Sequence, residues 1–455
     1  MEKKNKSISK AGVFEGDINL SSQRKAWAAK HINHSTQELL DEDARYFLHQ
    51  SLSTPCLNVL SNSEGIYLKD LQGRKIMDFH GNSVHQVGYG HPKVIEVIKQ
   101  QLDTLPFCPR RYTNKTAIDL ARRLAELAPG NLNKMLFAPG GTNAIGMALK
   151  LARYATGRYK TISMWDSFHG ASLDAISIGG ESLFRKDVGP LLPGCEHIPP
   201  PTRGKCLFNC KDENHDGCID YLKYIIKTEG DIGALIAEPM RWTTVELPPH
   251  NYWQRVREIC DENEILLIFD EVPSAIGRTG KMFVCEHFNV VPDMLVIGKG
   301  LGGGVFPLAA LIVREDLDIT GDKALGHYTH EKSSVGCAAA LATIDCLYED
   351  KLIENSINLG KKGLDYLKQM KSRHPIISDV RGLGLFFGIE LKIDNQPALK
   401  EAEEILYHSL SNGLSYKIGG GNVLTLCPPL TITAEQLFSA FEIIHQGLQK
   451  FIRKD

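Results

Sequence analysis

Nowhere in the 455 residues does an apolar run approach the roughly 20 needed to cross a bilayer. The basic start MEKKNKSISKAG leads into the polar FEGDINLSSQRK and not into the apolar stretch of a signal peptide. The expected address is therefore the cytoplasm. An excess of one charge is also lacking: 52 Lys and Arg face 54 Asp and Glu, for a net charge of -2. That balance removes the basis for a broad nucleic-acid footprint. The 11 cysteines are odd in number, scattered, and partly set in apolar stretches, so they read as reduced thiols and not as a disulfide framework. Internal repeats, heptad runs and low-complexity tracts are missing too. What remains, 43% hydrophobic and 23% charged residues, is an ordinary globular balance that excludes disorder. Such a length suits two domains or one large α/β unit.

The chain opens as a polar arm with helical pieces, including a short amphipathic helix over Asp41 to Gln50. Gly65 to Phe79 predicts two short strands around the turn Asp70-Leu71-Gln72-Gly73, and Lys93 to Leu105 predicts a helix. The rhythm then becomes strand, turn, helix. MLFAP, TISMW, IGALIAEP, ILLIFD and MLVIG are short apolar runs bounded by turn residues, most of them leading into helical patterns. Short buried strands alternating with helices imply a mostly parallel sheet covered on both faces. After about residue 345 the pattern changes to a helix over Lys351 to Ser372, strands around Val380 to Leu391, then helix, strand and terminal helix. The expected architecture is a large doubly wound α/β domain over residues 91–340. A small α+β domain is expected from 341–455, joined by part of the N-terminal segment 1–90.

Two apolar strands end in chemically useful groups. Ile265 to Phe269 runs into Asp270-Glu271, and Met294 to Ile297 runs into Gly298-Lys299 and a glycine-rich stretch. Ligands of open α/β sheets collect outside the carboxyl ends of the strands, so Asp270 and Lys299 are expected to face one crevice. Gly140-Gly141-Thr142 stands between MLFAP and a helix opening at Asn143, an anion site suited to one phosphate group. That turn lacks both the G-x-G-x-x-G dinucleotide fingerprint and the Walker A pattern. Phe168-His169-Gly170 follows TISMW and offers a flat ring. A phosphate cradle, a stacking ring, a strand-end aspartate and a lysine amine are together what pyridoxal 5'-phosphate (PLP) requires.

From about Leu52 onward the chain resembles the class-III aminotransferases, a fold-type-I group of PLP enzymes. The resemblance rests above all on LLIFDEVPSAIGRTGKMFVCEHFNVVPDMLVIGKGLGGG, from Leu266 to Gly304. It implies that Lys299 is the lysine bonded to the cofactor and that Asp270 partners the pyridine nitrogen. It also implies that Val272 packs beneath the ring, that Phe168 lies over it, that Gly141 and Thr142 hold the phosphate, and that His169 is among the cofactor-binding residues. Glu238 is implied to support the site. The family sets a threonine of the neighbouring subunit on the phosphate, and THEKSSVGCAAALA makes Thr329 that residue. A homodimer with shared sites is the implied partner arrangement.

Departures from the family pattern bear on substrate. Where E-P-[IV]-Q-G-E-x-G is common, this chain reads Glu238-Pro239-Met240-Arg241-Trp242-Thr243-Thr244-Val245. Thr425 stands where an arginine commonly binds the carboxylate of a keto acid, and Pro273 replaces the glutamine of D-E-V-Q. Arg241, with Arg110 or Arg111, is the expected set of donors for a different anion, and Asn82 and His85 are expected near the substrate. His91 is expected to cap the helix after Pro92, and Arg381 to support a strand of the small domain. Within the family the chain most resembles an ammonia-lyase branch acting on a small-molecule amino-phosphonate, a 1-hydroxy-2-aminoalkylphosphonate. The alternative is an ω-aminotransferase passing the amino group of a primary amine to a small keto acid. No metal is expected: C-x3-C-x4-H-x2-C over Cys206, Cys210, His215 and Cys218 matches no common zinc frame.

Overall fold

The computed structural model describes residues 21–51, 53–202, 206–210 and 215–452. The first 20 residues of the polar arm lie outside the described residues. Seven strands form the central sheet, in the order Leu132–Ala138, Ala309–Arg314, Met294–Ile297, Leu266–Asp270, Ile232–Ala237, Lys160–Met164, Cys195–Ile198. All neighbours are parallel except Ala309–Arg314, which runs antiparallel to both of its partners. Ile232–Ala237 and Leu266–Asp270 are buried at every position. Central strands covered by helices on both faces read as continuous apolar runs, which is why these segments stand out in the sequence.

The strand Ala309–Arg314 and the edge strand Cys195–Ile198 are the members that the apolar rhythm does not announce. Cys195–Ile198 (CEHI) is only partly buried and mixes polar with apolar residues. AALIVR follows the glycine-rich run without a helix between, so it returns as an antiparallel neighbour of the Met294–Ile297 strand.

A second sheet orders Ile377–Gly382, Phe387–Ile393, Val423–Leu426 and Lys417–Gly419, with Gln396–Pro397 paired to the second of these. The N-terminal strands Leu60–Glu64, Tyr67–Asp70 and Lys75–Asp78 form a third sheet, closed by a parallel pairing of Lys75–Asp78 with Leu414–Ser415. The two ends of the chain are thus stitched together beside the central sheet. Two helices are longer than, or shifted from, the sequence reading. The N-terminal one covers His34–Tyr46, started by Asn33, whose side chain accepts from the Thr36 N–H. Another covers Leu352–Arg373. His91 sits at the N-cap of the helix Pro92–Thr104, but its side chain makes no capping bond. Instead it turns to Cys346 Sγ at 3.5 Å and to the Asp350 carboxylate at 3.4 Å. Pro at the first helical position already suits that terminus, leaving the imidazole free for the neighbouring helix. No helix among the described residues is long and apolar enough to span a membrane.

Candidate active site

The carboxyl ends of the parallel strands deliver the polar groups. Asp270, last in its strand and almost fully buried, accepts from the Val272 N–H at 3.0 Å through one oxygen. Its other oxygen faces His169 Nδ1 at 2.8 Å. This pairing fixes the carboxylate plane. Glu271, the next residue, turns the opposite way: its oxygens take the N–H groups of Val284 and Cys285 at 2.6 and 2.7 Å, and burial pushes its carboxyl up to about 7. Adjacent strand-end carboxylates therefore serve different ends, one the crevice and one a loop.

Lys299 opens a short 3-10 turn after the strand Met294–Ile297 and is held at φ 46, a left-handed conformation costly for a side chain with a Cβ. Burial lowers its pKa, opposed by the charges of Asp270 and Glu238 and assisted by Lys417. A larger share of the amine is then neutral and able to take a proton. Glu238 bridges two segments, accepting from the Phe168 N–H at 3.4 Å and the Trp242 N–H at 3.1 Å, and burial raises its carboxyl.

The helix Gly141–Thr156 points its N-terminus at the same region, and Gly140 before it supplies no side-chain cap. Its first amide groups are therefore available to an anion. Gly170 adopts φ +130, and a Cβ there would lie 2.2 Å from Thr142 Oγ1, so only glycine allows the Thr142 hydroxyl its place. That hydroxyl meets Ser172 Oγ at 2.8 Å. Val272 lies against Gly141, 3.0 Å from where a Cβ would be. Phosphate-sized anion site, aliphatic floor, Phe168 ring, buried aspartate and lysine amine all lie on these adjoining segments. The residues present fit PLP.

Lys299 and Phe168 open onto a cavity of about 430 Å3, whose walls include Asn82, His80, Trp242 and Lys417. Trp242 is central to it: Lys299 Nζ lies 5.3 Å and Lys417 Nζ 5.7 Å from its ring centroid, within cation–π range. His80 packs its ring 5.5 Å from that of Trp242, and burial drops its pKa to about 4, so the imidazole is neutral. Lys417, Trp242 and His80 are functional candidates absent from the sequence reading. A signal for Lys417 did exist. It is the direct register partner of Thr425, the position noted for its missing arginine, so a cation lost from one strand reappears on its neighbour.

Several expected substrate residues go elsewhere. Arg241 does not reach the cavity: its guanidinium meets the exposed Asp166 carboxylate at 3.4 Å and the Thr243 hydroxyl at 3.1 Å. The cause is local. Arg241 and Glu246 form an isolated antiparallel bridge, in which successive side chains point to opposite sides, so Trp242 faces the cavity and Arg241 faces away. Replacing Arg241 by Met is accordingly expected to cost less than about 1 kcal/mol in kcat/KM for every substrate alike, as for a solvated ion pair. A loss confined to anionic substrates in steady-state assays would contradict this placement.

His85 is fully buried beneath Gly81, with Nε2 on the Asp78 carbonyl at 3.1 Å, and forms no part of the cavity wall. Arg110 Nη2 lies 2.8 Å from His327 Nε2, and both Arg110 and Arg111 are exposed. Thr329, two residues beyond His327, is exposed on that same patch and not on the cavity wall of its own chain. Thr425 is buried, donating its hydroxyl to the Thr243 carbonyl at 2.7 Å. Arg381 is engaged by Glu246, Glu390 and Asp379 at 2.7–2.9 Å and binds the small sheet to the Arg241–Glu246 bridge.

The model of the aminotransferase class-III family matches residues 49–448. An (R)-1-hydroxy-2-aminoethylphosphonate ammonia-lyase of Vibrio splendidus is 47% identical over 96% of this chain and 95% of its own length. An alanine/serine racemase of Pyrococcus horikoshii is 32% identical over 85% of this chain and 84% of its own. Among solved structures, an amine transaminase from an uncultivated Pseudomonas species, determined with PLP bound, superposes with a TM-score of 0.81 at 30% identity, covering 86% of this chain and 95% of that one. This chain belongs to the class-III aminotransferase family, and its cofactor is PLP.

Proposed function

We propose that the protein is a PLP-dependent ammonia-lyase that converts (R)-1-hydroxy-2-aminoethylphosphonate to phosphonoacetaldehyde and ammonia. The observation that carries this reading is the exchange of cations around the cavity. Thr425 replaces an arginine suited to a keto-acid carboxylate, while Lys417 on the facing strand enters the wall beside the same Trp242 ring that Lys299 approaches. Lys417 makes no ion pair among the described residues, so its charge is available to a phosphonate. The 47% identity with an ammonia-lyase supports the same reading.

Each residue then has a task. PLP, when bound, supplies a pyridine ring that draws electrons from the amine-bearing carbon. The amide groups opening the helix at Gly141, with the Thr142 hydroxyl, hold its phosphate. Asp270, locked by His169, keeps a proton on the ring nitrogen. Lys299 Nζ takes the proton from the amine-bearing carbon, aided by the burial that lowers its pKa. Lys417 anchors the phosphonate, and Trp242 keeps water from the lysine amine. The hydroxyl of the adjacent carbon leaves as water, taking the proton that Lys299 Nζ removed, and the His80 imidazole in the same wall would donate a hydrogen bond to that oxygen. The resulting enamine takes up one water and yields aldehyde and ammonia, so no keto acid is consumed.

An ω-aminotransferase would leave its cofactor in the amine form after one half-reaction. Absorbance of the holoenzyme mixed with the amino-phosphonate alone separates the two: the lyase reading expects the resting spectrum to return as product accumulates. Full, lasting conversion to the amine form would overturn it.

A homodimer belongs to the same proposal. Thr329 lies outside its own cavity, which suits delivery to the neighbouring subunit's phosphate, and Arg110 travels with it through His327. PLP binding and dimerisation are then linked, and saturating PLP is expected to shift the dimer–monomer midpoint to lower protein concentration in sedimentation. An unchanged midpoint would remove Thr329 from the phosphate.

A further inference from the structure

The insertion between the edge strand Cys195–Ile198 and the helix Asp216–Glu229 gathers four potential metal ligands from a spacing that matches no familiar zinc pattern. One ligand atom from each of Cys206, Cys210, His215 and Cys218 lies within 4.8 Å of all the others. Cys206 Sγ is 3.1 Å from Cys218 Sγ, which is itself 3.5 Å from His215 Nδ1. Four ligands at Zn–S and Zn–N distances of about 2.3 and 2.0 Å in a tetrahedron stand roughly 3.5–3.8 Å apart. The cluster is already near that size.

The surrounding backbone is shaped for this convergence. Asn209 N–H bonds the Cys206 carbonyl at 2.9 Å, turning the chain so that Cys210 comes back over Cys206. His215 takes φ 50 and its carbonyl accepts from Cys218 N at 3.0 Å, which sets its ring and the Cys218 thiol, in the first turn of the helix, on one side. Gly217 completes the approach: a Cβ there would stand 2.9 Å from Phe208 Cβ and 3.3 Å from Cys210 Sγ. Cys206, His215 and Cys218 are each at least nine-tenths buried. The fully buried Tyr252, near Cys218, Cys260 and Cys206, has a hydroxyl with no hydrogen-bond partner among the described residues. Thiolates of a metal site are strong acceptors for such a group.

We propose that Cys206, Cys210, His215 and Cys218 bind one Zn2+ ion in a closed Cys3His structural site. Three thiolates and an imidazole select zinc over magnesium or calcium, and four protein ligands leave no position for substrate. The ion staples the insertion to the Asp216–Glu229 helix and to Tyr252, at the exposed edge of the central sheet, away from Lys299. Zinc displaces the thiol protons on binding and no electrons are transferred.

The test is metal analysis of the holoenzyme, purified under reducing conditions without chelator and supplied with zinc. One zinc per chain is expected, released by an organomercurial in step with thiol modification. Cys218→Ser and Cys210→Ser should each lose the ion and lower Tm, with ammonia release by the folded fraction retained. Cobalt substitution in the wild type should give thiolate-to-metal charge-transfer bands, a readout that does not depend on either variant folding. A wild-type protein holding no zinc, whether its four groups titrate as free thiols or mass analysis finds a Cys206–Cys218 disulfide, overturns the proposal.

Discussion

Lys299→Ala is expected to abolish ammonia release while leaving a folded protein that still binds PLP without a covalent bond. The amides at Gly141, the Thr142 hydroxyl, Val272 and Asp270 sit on elements that do not depend on the lysine side chain. Proton removal at the amine-bearing carbon does depend on it. Loss of a positioned base alone costs about 10²–10⁴-fold, and loss of the covalent attachment adds to that. Steady-state assays and the absorbance of the dialysed holoenzyme read both halves of the expectation. More than a trace of turnover would remove Lys299 from the mechanism.

The second large effect is expected at Lys417. Replacing it by Met preserves length and packing against Trp242 but leaves a phosphonate dianion in a half-enclosed cavity without its cation. Losing a charge-assisted contact of that kind costs on the order of 2–5 kcal/mol, or more than tenfold in kcat/KM. The loss should be seen with amino-phosphonates and nearly vanish with neutral amines of equal length, because only the former carry the anion. Competitive inhibition by a phosphonate lacking the amine should weaken in parallel. Equal, small changes for both substrate classes would mean that the phosphonate is held elsewhere, with Arg110 or Arg111 of a neighbouring subunit the next groups to test.

The contrast between Arg241 and Lys417 shows where sequence reasoning stops. Strand-end groups such as Asp270 and Lys299 are legible because a buried apolar run announces both the strand and its end. The turn at Gly140-Gly141-Thr142 is legible for a similar reason, since the apolar run before it and the helix after it fix where it falls. Arg241 is a charged residue beside the site in sequence, and nothing in its neighbours reveals that the bridge to Glu246 reverses its direction. Trp242, one residue on, takes the place expected of it. Lys417 lies 118 positions after Lys299 in a short strand, and only the antiparallel register with Thr425 brings it to the cavity. The Cys206–Cys218 cluster is a parallel case, in which the spacing matches no common zinc frame and the fold nonetheless gathers the four side chains.

On the proposed reading, this member of the class-III aminotransferase family eliminates and does not transfer. The most direct test of that reading is to give the PLP-loaded protein (R)-1-hydroxy-2-aminoethylphosphonate with no keto acid present, and to follow ammonia and aldehyde together. Equal amounts of ammonia and phosphonoacetaldehyde are expected, continuing over many turnovers and unchanged by added pyruvate. Product that stops after one equivalent per site, or that appears only when a keto acid is supplied, would contradict it.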